Sequence, residues 1–124
     1  MELRKVALYG SRLRVGFGLV MMASPRVAFG PIYGGGVREP AAAAIGRMMG
    51  AREAALGAGA AIAVAERQGG ANWLSMIAVA DGLDAVINLT SARLGWRGKV
   101  LGVLAAGSSA AHLVLAKRIA AETA

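Results

Sequence analysis

The feature that most constrains this chain is the apolar segment 41–65, which carries charged residues at its middle. Arg47, Arg52 and Glu53 lie between runs of Ala, Gly, Leu, Ile and Val. The segment is about the length, ~20 residues, that a helix needs to cross a ~30 Å hydrocarbon layer. Ionisable groups at that depth are costly and usually have partners. The segment therefore predicts a membrane helix whose charges face other helices.

Composition favours an integral membrane protein over a soluble bundle. Of the 124 residues, 56% are hydrophobic and only 17% are charged, and the mean hydropathy is +0.55. Soluble domains carry ~25% charged residues. Four apolar segments recur at membrane-spanning spacing, so we expect an all-α fold in one domain, a four-transmembrane-helix bundle with a polar, charged centre. The predicted helices cover residues 3–24, 41–65, 71–90 and 99–117.

The net charge of +7 predicts contact with membrane lipids and not with nucleic acid. The basic residues are scattered at segment ends or within apolar runs, without a basic stripe and with little aromatic interleaving. Positive flanks that hold helix ends at anionic headgroups explain the charge more simply. The chain has no cysteine, which excludes disulfides, thiol redox chemistry and Cys-ligated metals. We expect no cofactor and no metal site, since there is no second His to support a His-based site; metal binding by carboxylates is a weakly signalled alternative.

Amino-acid composition predicts the location of the protein, and the basic residues in the loops predict its orientation in the membrane. Ala- and Gly-rich usage with Arg over Lys is typical of GC-rich bacteria, so we expect a bacterial cytoplasmic membrane. The N-terminal apolar run carries Arg12 and Arg14, and it is expected to remain as the first helix and not as a cleaved signal. Basic residues divide six against five between the two sides, which barely favours cytoplasmic termini and is compatible with dual topology. Gly-rich helix faces favour a homo-oligomer.

Small and polar residues follow helical spacing in all four predicted helices. Residues three and four apart share one face of a helix, and small residues let two helices approach closely. The faces comprise Ala7, Ser11, Arg14 and Gly18; Gly46, Gly50, Glu53, Gly57 and Ala60; Ile77, Asp81, Asp84 and Asn88; and Ser108 and His112. We expect these four faces to turn inward.

The charged residues predicted to lie within the membrane have equal numbers of positive and negative charges. Three are positive and three negative: Arg14, Arg47, Arg52, Glu53, Asp81 and Asp84. An unpaired charge costs ~2.5–3.5 kcal/mol at a helix centre, so we expect the six to pair around a common axis. The predicted acid–base groups are Glu53, Asp81 and Asp84. The predicted ligand-binding residues are Arg14, Arg47, Arg52, Asn88, Ser108 and His112. A lone His in such a helix favours a hydrogen-bonding role over a catalytic one.

The segment from Val27 to Pro40 contains Pro31 and three consecutive glycines, which predict a loop. A connecting loop with an aromatic anchor is favoured, and a re-entrant segment or lid built on Phe29, Ile32 and Tyr33 is the alternative. A phosphate loop is disfavoured, since no Lys-Ser/Thr follows the glycines and no strand is predicted before them.

Two stretches carry a family resemblance. The run 46–53, GRMMGARE, followed by Leu56-Gly57 and by the run 80–84, ADGLD, resembles small uncharacterised four-helix membrane proteins of bacteria and fungi. That family is a domain of unknown function and is distantly DoxX-like. The resemblance implies the fold and no reaction. A small multidrug transporter is disfavoured because Arg14 is expected to repel a cationic drug.

Three functions are open at this point. The first is a buried Arg/Glu/Asp site for a lipophilic small molecule, as in an acid–base isomerase or cyclase, and it predicts one closed pocket that opens to lipid. The second is a proton- or ion-coupled transporter, which predicts routes to both sides. The third is a non-catalytic accessory or assembly protein, which predicts satisfied ion pairs and no cavity.

Overall fold

The computed structural model describes residues 3–123, and the described chain is helical with no strand, which confirms the all-α prediction. The helices are α1 (Leu3–Ala23), α2 (Pro25–Tyr33), a 3-10 helix (Gly34–Arg38), α3 (Pro40–Ala65), α4 (Gly70–Thr90) and α5 (Trp96–Thr123). The main packing pairs are α1 with α3 and α4 with α5, and α3 also contacts α4. The α1–α3 pair and the α4–α5 pair each turn a polar face toward the other pair.

Three helices have the length and apolar composition of membrane-spanning helices. They are Leu3–Ala23, Gly70–Thr90 and Trp96–Glu122. The 26-residue α3 is longer than two of them but contains Arg47, Arg52 and Glu53, and it falls outside this group. These three helices indicate a membrane protein, whereas a fourth span stays a prediction.

The loop prediction for Val27 to Pro40 is wrong. Pro25 occupies the first turn of α2, where its missing N–H costs nothing, and the nine-residue helix accommodates Pro31. The glycine run forms the 3-10 helix, which Gly34 enters at a φ of 73°. Glycine permits that angle without steric cost, so the chain turns sharply between two helices instead of forming an open loop.

The last helix is also longer than the predicted 99–117. It begins at Trp96, and Lys117 and Arg118 do not end it. Ile119 is 2% exposed and packs with Ala116 in the core, so burial of this extra turn extends the helix. Outside the core, Arg4 pairs with Glu122 at 3.2 Å and joins the first turn of α1 to the end of α5.

Glycines bring the backbones of α1 and α3 into direct contact. A Cβ added at Gly18 would lie 2.5 Å from the Ala54 nitrogen, and one added at Gly50 would lie 2.6 Å from the Gly18 oxygen. A Cβ at Gly57 would lie 2.7 Å from the Ser11 oxygen. The small faces predicted for these two helices are therefore buried against each other, as the spacing indicates.

Two apolar clusters hold opposite ends of the bundle together. One joins four helices and contains Ala7, Ala60, Val64, Leu74, Ile77, Ala116 and Ile119. The other lies beside α2 and contains Met21, Phe29 and Val37. Along α1, Arg14 lies midway between Ala7 and Met21, so the polar residues occupy the space between the two clusters.

Candidate functional site

Arg14 joins three helices at the centre of the bundle. Its Nη1 donates to Glu53 Oε2 on α3, and its Nη2 donates to Asp81 Oδ2 on α4 at 2.5 Å. The exposed fractions of the three side chains are 11%, 9% and 7%. A planar guanidinium suits this position because its fixed donors can serve two carboxylates at once.

Arg52 forms the second bridge, between Glu53 and Asp84. Its Nη1 and Nη2 donate to the two oxygens of Asp84 at 3.3 and 2.5 Å, a bidentate pair. Its Nε and Nη2 also donate to Glu53 Oε1 at 3.2 and 3.0 Å. Glu53 therefore accepts from both arginines. The Arg52 side chain is 38% exposed and Asp84 24%, so this bridge forms the accessible edge of the network.

Ser108 and His112 extend the network onto α5. Ser108 Oγ donates to Asp81 Oδ2 at 2.6 Å, so its hydroxyl hydrogen is already used. His112 Nδ1 lies 2.8 Å from the Ser108 carbonyl oxygen, which can only accept a hydrogen bond. The contact therefore assigns the proton to Nδ1 in the neutral ring and leaves a lone pair on Nε2. Asp81 Oδ2 lies 3.7 Å from Nδ1.

Asn88 links the network to α2 through Tyr33. The Tyr33 hydroxyl donates to Asn88 Oδ1 at 2.7 Å, and Asn88 Nδ2 donates to the Asp84 carbonyl oxygen at 2.8 Å. Burial raises the pKa of the Tyr33 phenol, which keeps it a neutral donor. Tyr33 was not among the site residues predicted from the sequence. Its four-residue spacing from Phe29 would have placed both rings on one face, had the segment been recognised as helical.

Tyr33→Phe is expected to lower the free energy of unfolding by about 0.5–1.5 kcal/mol, because Asn88 loses its donor. The raised pKa adds a pH dependence. The stabilisation is complete below the ordinary tyrosine value of 10.0 and is lost as pH rises through the higher value of the folded state. Unfolding in mixed micelles measures both effects. Tyr9→Phe is the control, since Tyr9 is 57% exposed, and an equal loss there would contradict a specific Tyr33–Asn88 bond.

A cavity of about 410 Å³ lies against this network. Its apolar wall is formed by Leu13, Phe17, Met21, Phe29, Ile32, Met49, Leu101 and Leu104. Its polar wall contains Arg14, Arg52, Glu53, Asp81, Asp84, Asn88, Ser108, His112 and Tyr33. Leu13 and Phe17 on α1 are 75% and 53% exposed, and Leu104 on α5 is 64% exposed. The apolar rim between α1 and α5 is therefore open to the surroundings.

Arg47 is the one predicted site residue that the structure does not bring to the cavity. Its Nε donates to the Met22 carbonyl oxygen at 3.3 Å in an exposed position near the start of α3. The expectation of six balanced charges is therefore wrong. Arg47 lies nearly two turns before Glu53, and helix α2 occupies the neighbouring space, with Pro25 and Phe29 against Gly46.

The three carboxylates also have the spacing of a cation site. Glu53, Asp81 and Asp84 each place one ligand atom within 4.8 Å of the others. In the structure these groups accept hydrogen bonds from Arg14 and Arg52, which already supply positive charge there. Within residues 3–123, no buried side-chain nitrogen or oxygen lacks a hydrogen-bond partner. The arrangement is that of a satisfied ion-pair network beside a cavity.

No known family, curated protein or solved structure matches this chain. The resemblance to small four-helix and DoxX-like membrane proteins therefore stays a prediction.

Proposed function

We propose that this protein is a four-span membrane protein that binds one lipophilic small molecule beside its buried charged network. The observation that carries the proposal is the cavity of about 410 Å³ with one apolar wall and one charged wall. Ligand pockets typically have ~300–1,000 Å³ and combine apolar lining with a few polar groups that orient the ligand. A small amphiphile would place its hydrocarbon part against Phe17 and Leu104 and its polar head at the network.

The environment of α3 supports its assignment as the fourth span. At ~1.5 Å per residue its 26 residues extend about 39 Å, enough to cross a bilayer. Glu53 is 7% exposed, and Arg52 pairs with Asp84 of α4, so both charges have partners within the bundle. Residence in a bacterial cytoplasmic membrane and assembly into a homo-oligomer belong to the same proposal.

The rim of the cavity supports entry from the bilayer. Leu13, Phe17 and Leu104 are exposed at the gap between α1 and α5. In a four-span protein these side chains contact acyl chains, so a lipophilic ligand reaches the network without passing through water. An entrance of this kind was the expectation for the first of the three hypotheses, the small-molecule site.

The network limits which groups could perform acid–base chemistry on such a ligand. Glu53, Asp81 and Asp84 all accept hydrogen bonds from guanidinium groups, so their oxygens are already engaged with protein donors. In the proposal they orient the polar head of the ligand. His112 Nε2, with its lone pair and no hydrogen-bond partner among residues 3–123, is the better proton acceptor. An isomerase or cyclase is the enzymatic form of the proposal.

Two other functions have specific observations in their favour. Satisfied ion pairs fit an accessory protein, but the adjoining cavity is not expected for one. Carboxylates at mid-membrane fit a proton- or ion-coupled carrier. The small-molecule site explains both the ion pairs and the cavity.

Filling the cavity tests the proposal. Ala105 lines the cavity on α5, whereas its neighbour Ala106 is exposed and does not. We expect native mass spectrometry of protein extracted in mild detergent to show one retained small molecule on the wild type. Ala105→Trp should lower its occupancy at least ~10-fold, since the ring takes its volume, and Ala106→Trp should retain it.

Two results would count against the site. One is a wild-type protein that carries no small molecule under these conditions. The other is an equal effect of the two tryptophan variants, which would place any retained molecule elsewhere. Thermal unfolding of both variants shows whether a loss of binding reflects a loss of fold.

A further inference from the structure

The network beside the cavity contains more negative than positive charge. Two guanidinium groups, Arg14 and Arg52, face three carboxylates, Glu53, Asp81 and Asp84. Two positive and three negative charges leave a sum of minus one when His112 is neutral. Arg47, which would have balanced the set, instead donates to the Met22 carbonyl in an exposed position. A net charge in a low-dielectric site is costly and favours uptake of one cation.

The uncompensated charge is accessible from the cavity and not from the core. Arg14, Glu53 and Asp81 have side chains that are 11%, 9% and 7% exposed, and they are paired with one another. Asp84 is 24% exposed and lines the cavity. A cation in the cavity would therefore approach the network at Asp84 and beside His112.

One hydrogen-bond acceptor in the polar wall of the cavity, on His112, has no donor. His112 donates from Nδ1 to the Ser108 carbonyl, so Nε2 is an acceptor without a partner in the described chain. Ser108 and Tyr33 already donate to Asp81 and Asn88. A ligand that brings its own N–H donor would complete these contacts.

We propose that the ligand is a lipophilic amine bound as its ammonium cation. This inference rests on the proposed function and specifies the ligand class of the same cavity. The ammonium group supplies the missing positive charge to the network and donates a hydrogen bond to His112 Nε2. The hydrocarbon part packs on Leu13, Phe17 and Leu104.

The ion pairs of Arg14 reduce the repulsion of a cation that the sequence alone led us to expect. Its charge is offset by Glu53 and Asp81, which it contacts directly. A carboxylate ligand would raise the net charge to minus two. A neutral alcohol could donate to His112 but would leave the charge unbalanced. Of the three head groups, the ammonium therefore complements the charge of the network best.

The test compares three probes with the same ten-carbon chain: decylammonium, decanol and decanoate. Binding to the full chain in phosphatidylcholine nanodiscs is measured by equilibrium dialysis, and Ala105→Trp gives the background of lipid partition. We expect decylammonium to bind the wild type at one site, at least ~10-fold more tightly than decanol, which corresponds to ~1.4 kcal/mol. Decanoate should not exceed the background.

Asp84→Asn removes the excess charge while Glu53 still pairs with Arg52. This variant should lose the preference for decylammonium over decanol, and Arg47→Gln, outside the network, should keep it. If Asp84→Asn does not fold, the ranking of the three probes on the wild type decides the question by itself.

The outcomes separate the two proposals. If no probe exceeds the Ala105→Trp background, the proposed site fails. If decanol or decanoate binds as tightly as decylammonium, the site stands and the amine inference is overturned. Retention of the amine preference by a folded Asp84→Asn variant would overturn it as well.

Discussion

Replacing Arg14 by methionine is expected to lower the free energy of unfolding by about 3–5 kcal/mol, the cost of removing one partner from a buried ion pair. The guanidinium contacts Glu53 and Asp81, whose side chains are 9% and 7% exposed. Without it, Asp81 would keep a hydrogen-bond donor only from Ser108. The network would then carry a net charge of minus two, with Arg52 as its remaining guanidinium. Reversible unfolding in mixed micelles measures the loss.

Arg12→Met is the matched control. Arg12 lies two residues earlier on α1 and is exposed, so its replacement should change the free energy of unfolding by no more than about 0.5 kcal/mol. A second variant that combines Arg14→Met with Asp81→Asn should recover part of the loss, because Asp81 is the carboxylate that loses its guanidinium partner, whereas Glu53 keeps Arg52. Equal effects of Arg14→Met and Arg12→Met would show that the central pairing is absent.

Gly18→Ala is the second substitution with a large expected effect. The added Cβ would lie 2.5 Å from the Ala54 nitrogen and 2.6 Å from the Gly50 oxygen, both of which are backbone atoms that cannot rotate away. α1 and α3 would have to separate, and we expect a loss of about 1–3 kcal/mol from overpacking. The separation would also displace Arg14 from Glu53, since these residues lie one turn from the contact.

Gly16→Ala provides a control on the same helix. No atom lies within 4 Å of a Cβ added at Gly16, and alanine is the better helix former by roughly 0.5–1 kcal/mol. Gly16→Ala should therefore be neutral or stabilising in the same micelle assay. If both alanine variants behave alike, the close approach of the α1 and α3 backbones is contradicted.

Helical spacing was sufficient to predict which faces are buried. Gly46, Gly50, Glu53 and Gly57 follow 4, 3, 4 spacing, and the structure buries all four. A helix rotates ~100° per residue, so a polar residue aligned with glycines has to face the helix that those glycines contact. The same reasoning brought Asp81 and Asn88 to the centre from α4.

The partners of each charge could not be predicted from spacing. The pairs Arg14–Asp81 and Tyr33–Asn88 are 67 and 55 residues apart in sequence, and their contacts depend on how far each helix is shifted along its neighbour. That shift is set by contacts such as Gly18 against Gly50, which spacing within one helix does not reveal. For the same reason, Arg47 was expected at the centre and lies outside it.

The most direct measurement of the central claim is the ¹⁵N NMR spectrum of the imidazole in nanodiscs. The chain contains one histidine, so the two ring nitrogens of His112 give one pair of signals. From the contact between Nδ1 and the Ser108 carbonyl oxygen we predict a protonated Nδ1 and an unprotonated Nε2. The Nε2 signal should shift and saturate at one equivalent of decylammonium, while the Nδ1 signal changes little. An Nε2 signal that ignores the added amine, or one that changes without saturation, would contradict the binding of an ammonium ligand beside the buried network.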